Sequence, residues 1–298
     1  MSSMGLALNP FYYQSPIRDR ELFFGRQTGT KRVLDRLRKG QNVSVVGKSK
    51  IGKTSFLYHV SNPQVAAENR FPPHRHIFFY IDCRCLADLS RRDCLGLIKA
   101  VVEKTISTWQ AGFLPAVEIA TSSGAYDWLD RAFSLFGREG IPSIVQFDDF
   151  DRLAANPHLS FVFFENLRAL GEVHDTLAYL AASQVPLFEL QGRIPRIAGS
   201  PFFNNFWQYK LGPFGPEESR RFLAARLASV DAVFPEAIQG FIFDLGKGEP
   251  YRLQLAGACA YALWCENGGS LCEGHCEEIE RRFNDALLED GYGIYAES

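Results

Sequence analysis

Long apolar runs are missing from this chain of 298 residues. No stretch approaches the roughly 20 consecutive apolar residues that a membrane-spanning helix requires. The N-terminus, MSSMGLALNP, also lacks the basic and hydrophobic pattern of a secretory signal. These absences argue against a membrane-spanning or exported protein, so we expect no membrane partner and a cytoplasmic location.

A strong net charge is absent as well. The chain has 32 Lys and Arg against 34 Asp and Glu, a formal net charge of −2, so it has no overall attraction to nucleic acid. One local exception is TKRVLDRLRKG, which places the basic residues of 31–39 around a predicted helix, interrupted by Asp35. This helix could follow a phosphate backbone, although a solvated helix face is the simpler interpretation.

The cysteines do not suggest a disulfide framework. Seven are present, an odd number, in a chain without an export signal, which favours reduced thiols. The group CEGHC, residues 272–276, has irregular spacing for zinc, whose structural sites use paired, closely spaced ligands. We therefore predict no metal site there.

A glycine-rich segment carries the clearest chemical signal. GKSKIGKTS, residues 47–55, follows the apolar stretch VSVV and fits the Walker A spacing G-x-x-x-x-G-K-[ST]. Glycine lets the backbone turn so that successive N–H groups face phosphate oxygens, and the following helix adds its partial positive charge. The predicted phosphate-binding residues are Gly47, Ser49, Lys50, Ile51, Gly52, Lys53, Thr54 and Ser55.

Individual roles follow from the chemistry of these side chains. Lys53 is expected to reach the β- and γ-phosphates, where it also serves catalysis, and Thr54 to supply a hydroxyl to Mg²⁺. The side chains of Lys48 and Lys50 are expected to face solvent. A tight strand-to-helix turn without any ligand is the alternative.

A second segment supplies acids at the end of a predicted strand. PSIVQFDDFD, residues 142–151, is a buried strand that leads into two carboxylates, a Walker B pattern. Asp148 is placed to bind Mg²⁺, and Asp149 to polarise the attacking water. Paired acids are also ordinary turn formers, which remains the alternative. No N-K-x-D stretch for guanine is present, so ATP is favoured over GTP.

The order of elements predicts an α/β fold. Five predicted strands (42–47, 76–84, 142–151, 176–183 and 206–212) alternate with helices, which indicates a parallel sheet covered on both faces. From Pro216 onward the pattern is helical only. We predict an N-terminal segment over 1–27, a nucleotide-binding core over 28–214 and a helical lid domain over 215–298.

The sequence resembles the STAND-type ATPases, in the AAA-plus-like, additional-strand group of P-loop NTPases, and especially the branches close to the archaeal ATPases. The resemblance covers about residues 1–260. Its flanking motifs are NPFYYQSPIRDRELFFGR, FFENLRAL, SPFFNNFWQYKLGPF and GKGEPYRLQLAG, in addition to the two nucleotide motifs. It implies a parallel sheet of strand order 5-1-4-3-2 with a C-terminal helical lid.

The resemblance also implies roles for particular residues. Phe24, Gly25 and Arg26 would lie near the base or phosphates, and Gly248 and Pro250 would form the G-x-P motif of the lid. Ser183, at the end of the fourth strand, would sense the γ-phosphate or the attacking water. Gln184 could equally hydrogen-bond the water, and a merely polar strand end is the alternative to both.

Two departures from the family pattern are visible. Glu249 stands where relatives often carry His, which removes an expected phosphate contact. Asp149 replaces the common Glu and reaches less far, which implies slow hydrolysis. Arg193, Arg196 and Arg252 are candidates for an arginine that acts on the phosphates, with ordinary surface positions as the alternative.

These observations predict an ATP-binding, Mg²⁺-dependent ATPase that acts as a nucleotide-controlled switch in signalling or defence. Because no effector or sensor repeat is apparent, we expect the chain either to work with a separate protein partner or as a nucleotide-dependent homo-oligomer, or to be the ATPase portion of a longer protein. The alternatives are a non-hydrolysing nucleotide-dependent scaffold, a DNA-acting AAA-plus loader and, third, a P-loop kinase.

Overall fold

A five-stranded parallel sheet is the centre of the first of two compact units. The computed structural model describes residues 9–72, 75–109 and 124–290, and this unit comprises described residues within 26–47 and 56–210. The strands are β1 (Val43–Val46), β2 (Ile77–Asp82), β3 (Ser143–Asp148), β4 (Leu177–Ser183) and β5 (Trp207–Lys210). Their spatial order is β2-β3-β4-β1-β5, which confirms the predicted order.

Burial along the strands follows from their positions in the sheet. Every residue of β1, β3 and β4 is buried, whereas β2 and β5, at the two edges, alternate between more and less buried residues. All strand pairs are parallel, and parallel strands need helices over both faces. The carboxyl ends of all five strands consequently lie along one edge of the sheet.

The helices of this unit are, in chain order, α1 (Gln27–Leu37), α2 (Lys53–Val60), α3 (Pro63–Glu68), α4 (Arg91–Thr108), α5 (Ala125–Arg138), α6 (Phe150–Ala155), α7 (Phe161–Val173) and α8 (Leu187–Arg193). The first turn of α2, residues 53–55, belongs to the other unit. The sequence did not predict α3, α6 and α8, which have only six or seven residues each. A helix this short has little periodicity to recognise.

The second and third predicted strands extend past their observed ends. The third ends at Asp148 because Asp149 adopts a left-handed conformation, with φ 53°, and caps α6. The second ends at Asp82, whose carboxylate accepts a hydrogen bond from the Arg84 N–H and starts a 3₁₀ turn over Cys83–Leu86. Asp82 thus ends its strand through a side-chain cap, whereas Asp149 ends its strand through its backbone conformation and makes no side-chain capping hydrogen bond.

The second compact unit is helical. Its helices are α9 (Pro216–Ala228), α10 (Glu236–Gly246), α11 (Pro250–Glu266) and α12 (Cys276–Glu289). Its described residues also include 9–25 and 48–55, so most of the glycine-rich segment is grouped with the helices. Phe11 from the N-terminal segment packs into the core of this unit beside Phe222. In the described part of the chain, no helix combines the length and apolarity needed to span a bilayer.

Candidate nucleotide site

The glycine-rich segment 48–55 has the backbone conformation of a tight anion-binding loop. Lys50 and Gly52 both have positive φ angles, 62° and 98°. The second of these is a conformation that glycine adopts at little cost. The helix α2 begins at the next residue, Lys53, so its first free N–H groups follow the turn directly. Such a turn can direct N–H groups and a helix N-terminus at an anion.

Contacts of Lys53 and Ser55 stabilise this loop. Lys53 is only 7% exposed, and its Nζ donates a hydrogen bond of 2.9 Å to the Lys48 carbonyl oxygen. The Ser55 hydroxyl accepts the Ile17 N–H at 3.0 Å, which ties the loop to the N-terminal segment. A largely buried ammonium group held against the loop backbone is suited to bind a phosphate.

The other two lysines of the loop contact acids. Lys48 Nζ lies 2.7 Å from Glu249 Oε1, and Lys50 Nζ lies 3.7 Å from Asp290 Oδ2 and 4.5 Å from the centre of the Tyr251 ring. Both side chains keep solvent exposure, as expected, but the ion pairs were not predicted. They connect the loop to the beginning of α11 and the end of α12.

Asp148 is the best-oriented acid at the carboxyl edge of the sheet. It is 3% exposed. Its Oδ2 accepts a hydrogen bond of 2.7 Å from the Tyr80 hydroxyl, and its Oδ1 accepts the Asp149 N–H at 3.1 Å. Tyr80 is itself stacked on Tyr58, with ring centroids 4.8 Å apart. Both carboxylate oxygens are therefore fixed in direction, and each retains a lone pair for a further ligand.

Asp149 lies next to a cation that the sequence did not reveal. Arg84 Nε is 3.7 Å from Asp149 Oδ2, while the same guanidinium binds Asp82 through both carboxylate oxygens, at 2.6 to 3.1 Å. Asp82 is paired with Asp148 in the register of β2 and β3. Asp82, Asp148 and Asp149 thus lie at this edge together with the Arg84 guanidinium.

The surroundings shift the pKa values of Asp82, Tyr80 and Cys83. Hydrogen bonds from Arg84 lower the pKa of Asp82 below its usual value. Burial, together with its hydrogen bonds to Tyr58 and Asp148, raises the pKa of Tyr80, which therefore keeps its proton and acts as a donor. Burial also raises the pKa of the Cys83 thiol, with Asp148 as the next cause, so Cys83 remains a neutral core residue.

Ser183 ends β4 beside the start of the glycine-rich segment. Its carbonyl oxygen accepts the Gly47 N–H at 3.1 Å, and its buried hydroxyl donates to the Val185 carbonyl oxygen at 2.7 Å. The Gln184 N–H donates to Asp151 Oδ2. The Ser183 backbone therefore positions Gly47, while its hydroxyl is bound to its own turn.

The predicted adenine-side residues fall on both sides of the unit boundary. Phe24 makes edge-to-face contacts with Phe214 and Phe222. Gly25 has φ +73°, and a Cβ at this position would clash with the Glu218 carboxylate. Arg26 caps α1 in a left-handed conformation, with φ 68°.

The G-x-P motif has a defined backbone geometry. Gly248 has φ +73°, and its carbonyl oxygen accepts the Phe214 N–H at 2.7 Å. Pro250 is the first residue of α11, and Glu249 is the residue that caps it. This arrangement fixes where α11 begins and directs Glu249 towards Lys48.

The candidate arginines have local partners. Arg252 Nε donates to the Leu245 carbonyl oxygen at 2.9 Å, and its guanidinium lies over the Phe283 ring. Arg193 pairs with Glu189 one helical turn away, at 3.1 Å. The side chain of Arg196 lies outside the described residues.

The donor set suits Mg²⁺ better than zinc. Within residues 9–72, 75–109 and 124–290, no group of three or more His, Cys, Asp and Glu side chains could hold a metal ion. Mg²⁺ does not require one, because it binds through one or two carboxylates while phosphates and water complete its shell. Asp148, with both carboxylate oxygens held by hydrogen bonds, has the chemistry for that role.

Sequence reasoning missed Tyr80, Asp82, Arg84 and the pairing of Glu249. A signal for Tyr80 and Asp82 was available. Both lie near the end of a predicted strand, and the carboxyl ends of parallel strands share an edge with the strand that ends at Asp148. The sequence carried no comparable signal for the Lys48–Glu249 pair, whose members are 201 residues apart.

Comparisons with known proteins agree with this architecture. Residues 7–89 match the model of a family described as Novel STAND NTPase 1, which confirms the predicted resemblance to STAND-type P-loop ATPases. No curated protein matches the chain at a significant level.

Solved structures show the same fold at low sequence identity. A Walker-type ATPase of Pyrococcus abyssi is 17% identical, with a TM-score of 0.67 over 96% of this chain and 79% of that one. The ORC2 protein of Aeropyrum pernix, solved with ADPNP and ADP, is 15% identical, with a TM-score of 0.66 over 93% and 72%. Domain III of the replication initiation protein DnaA of Thermotoga maritima is 15% identical, with a TM-score of 0.57 over 90% and 98%. The α/β fold of P-loop ATPases is thereby confirmed.

Proposed function

We propose that this protein binds ATP with Mg²⁺ and hydrolyses it slowly, as a nucleotide-controlled switch in signalling or defence. The observation that carries the proposal is the pairing of two features. Strand β1 passes into a loop with positive φ at Lys50 and Gly52, and β3 of the same sheet ends at Asp148, whose two carboxylate oxygens are fixed by hydrogen bonds.

In this proposal the loop holds the phosphates. The backbone N–H groups of the segment from Gly47 to Ser55 bind phosphate oxygens, and Lys53 neutralises charge on the β- and γ-phosphates. Thr54 and Asp148 hold Mg²⁺, which draws charge from the same phosphates when it is bound. Phe24, Arg26 and Pro250 contribute to the nucleotide pocket. Together these groups bind the nucleotide and stabilise the developing negative charge.

Asp149 is the proposed group that orients the attacking water, and Ser183 positions the γ-phosphate region. The Asp149 carboxylate forms a 3.7 Å ion pair with Arg84, so part of its negative charge is engaged by that cation and not by the attacking water. Aspartate also reaches less far than glutamate. Both features support slow turnover, which suits a switch that stays in its ATP state for a long time.

The experiment compares ATP binding and hydrolysis by the full chain and three variants. The Lys53→Ala variant is expected to lose ATP binding. In the Asp148→Asn variant, Mg²⁺ is expected no longer to stimulate ATP hydrolysis. Asp149→Asn is expected to bind ATP normally while its hydrolysis falls to background, because Asn tolerates the left-handed conformation and only the charge is lost. Identical, background-level rates of ATP hydrolysis for wild type and Asp149→Asn would rule out the ATPase activity and favour a nucleotide-dependent scaffold.

Switching itself is tested by assembly. If the nucleotide controls a protein partner or self-association, size-exclusion profiles of the full chain differ between ATP, ADP and no nucleotide. Identical profiles, with no partner captured selectively in one nucleotide state, would leave an ATPase without a switch role.

DNA binding is the second candidate function. The guanidinium groups of Arg32 and Arg36 in α1 lie 5.2 and 4.9 Å from the centre of the Trp207 ring on edge strand β5, and basic residues beside an aromatic ring can bind nucleic acid. Salt-sensitive DNA binding that disappears in an Arg32→Ala, Arg36→Ala double variant would support this function. No binding at low salt would remove it.

A further inference from the structure

Two lysines of the glycine-rich loop form long-range ion pairs within the helical unit. Lys48 Nζ contacts Glu249 at 2.7 Å, a residue 201 positions away. Lys50 Nζ lies 3.7 Å from Asp290 and over the ring of Tyr251. The Tyr251 hydroxyl also hydrogen-bonds to Asp290. The loop is thus joined by charge to two separate helix ends.

Each acid lies at the terminus of a helix. Glu249 caps the N-terminus of α11, and Asp290 is the residue at the C-terminus of α12. Glu249 is 15% exposed although its partner Lys48 is 74% exposed, so the carboxylate is the better shielded member of the pair. A change in the charge balance at the loop therefore acts on the first turn of α11 and the last turn of α12.

We propose that Lys48 and Lys50 transmit the occupancy of the phosphate loop to α11 and α12, through Glu249 and Asp290, so that a polyphosphate and these two carboxylates compete for the same lysine charge. The proposal rests on the proposed function, since it requires an anionic ligand on the loop. It adds a regulatory contact between loop and helices that the G-x-P motif does not provide.

The sign of the coupling follows from linkage. An anion bound at the loop shares the positive charge of Lys48 and Lys50 and repels both carboxylates, so it weakens the ion pairs and loosens the helix ends. Coupling between two equilibria is reciprocal, and removing a carboxylate must therefore strengthen anion binding. The effect grows with ligand charge, so ATP gains more than ADP.

The size of the effect is set by solvent. Exposed ion pairs are screened and contribute little, so neutralising Glu249 is expected to raise ATP affinity about two- to fivefold. Asp290 is half-exposed and its contact is longer, so its contribution is expected to be smaller. High salt should reduce both effects.

The test uses the full chain and two measurements, the Kd values for ATP and ADP and the hydrogen exchange of residues 250–266 and 276–289 with and without ATP. The variants are Glu249→Gln, Asp290→Asn and Lys48→Gln. Glu249 makes no side-chain capping hydrogen bond to α11, so Gln removes charge without removing a cap. Glu217→Gln is the matched control, because Glu217 forms an exposed 2.7 Å ion pair with Arg220 elsewhere in the same unit.

We expect the two members of the Lys48–Glu249 pair to affect ATP affinity differently when they are neutralised. Glu249→Gln tightens ATP binding more than ADP binding, Lys48→Gln does not tighten it, and both reduce the ATP-dependent change in exchange at the start of α11. Glu217→Gln behaves as wild type. If wild type binds ATP but Glu249→Gln has the affinity and exchange response of Glu217→Gln, the coupling is refuted while the proposed function stands. If wild type binds no nucleotide, both are overturned.

Discussion

The Tyr80 hydroxyl donates a hydrogen bond of 2.7 Å to Oδ2 of Asp148, from one strand of the sheet to the next. The opposite carboxylate oxygen, Oδ1, is bound by the Asp149 N–H. The side chain proposed to hold Mg²⁺ is therefore oriented by groups on both sides. Such supporting hydrogen bonds usually matter for a metal site almost as much as the ligands themselves.

Removal of this hydroxyl provides the first prediction. Tyr80→Phe keeps the ring stacked on Tyr58 but releases Oδ2 of Asp148. We expect the Mg²⁺ concentration for half-maximal ATPase activity to rise about tenfold, since outer partners of metal ligands typically contribute this much. Titration of activity with Mg²⁺ measures it, with Tyr126→Phe as a control in α5. An unchanged Mg²⁺ requirement would show that Tyr80 has no such role.

Arg84 provides the second prediction. Its guanidinium forms an ion pair with Asp149, and the loss of that cation leaves the whole charge of the carboxylate to orient the attacking water. We expect Arg84→Ala to raise the single-turnover rate of ATP hydrolysis about two- to fivefold, in line with the modest strength of exposed ion pairs, and to leave ATP affinity unchanged. Arg220→Ala is the control, because that arginine has similar exposure. A lower rate would instead show that Arg84 assists the reaction.

The parts of the fold that the sequence predicted are those determined by local patterns. The strands followed from buried apolar stretches and the loop from its glycines and its lysine, whereas the strand order came from the family resemblance. Phe150 and Asp151 were assigned to the third strand, yet they begin α6 because Asp149 turns the chain in a left-handed conformation.

The missed features depend on contacts between distant segments. The approach of Arg84 to Asp149 arises only once β2 and β3 pair, and the approach of Lys48 to Glu249 only once α11 is in place. The local sequences around Arg84 and Glu249 do not distinguish these two residues from ordinary surface residues. A single sequence carries no signal for such pairs unless the fold is already known.

The third prediction compares two glycines with positive φ, Gly52 and Gly248, whose replacement should affect ATP binding and the free energy of unfolding differently. A Cβ at Gly52 meets nothing within 4 Å, whereas a Cβ at Gly248 would clash with the Phe214 carbonyl oxygen. Gly52→Ala therefore carries only backbone strain and should lower the free energy of unfolding by about 1 kcal/mol, while ATP binding falls sharply because the loop N–H groups shift. Gly248→Ala should lower the free energy of unfolding by about 2–4 kcal/mol. Urea unfolding and ATP titration measure the two effects. Equal losses of stability in the two variants would contradict the prediction that only the Cβ at position 248 causes a steric clash.

The fourth prediction concerns acid stability and the pair Asp82–Arg84. The pKa of Asp82 is lowered in the folded protein by the Arg84 hydrogen bonds, so the ionised carboxylate favours folding. That contribution is fully present above the unfolded pKa of about 3.9 and is lost as the pH falls through the lower folded value.

Asp82→Asn should therefore be less stable than wild type at pH 7, by under about 1 kcal/mol because the pair is partly exposed. The deficit should shrink as the pH falls from 5 towards 2, since wild type loses the same interaction by protonation. Asparagine keeps an acceptor for the Arg84 N–H, which preserves the turn. Urea unfolding across this pH range measures the difference, and a constant deficit would mean that the turn, rather than the charge of Asp82, carries its contribution.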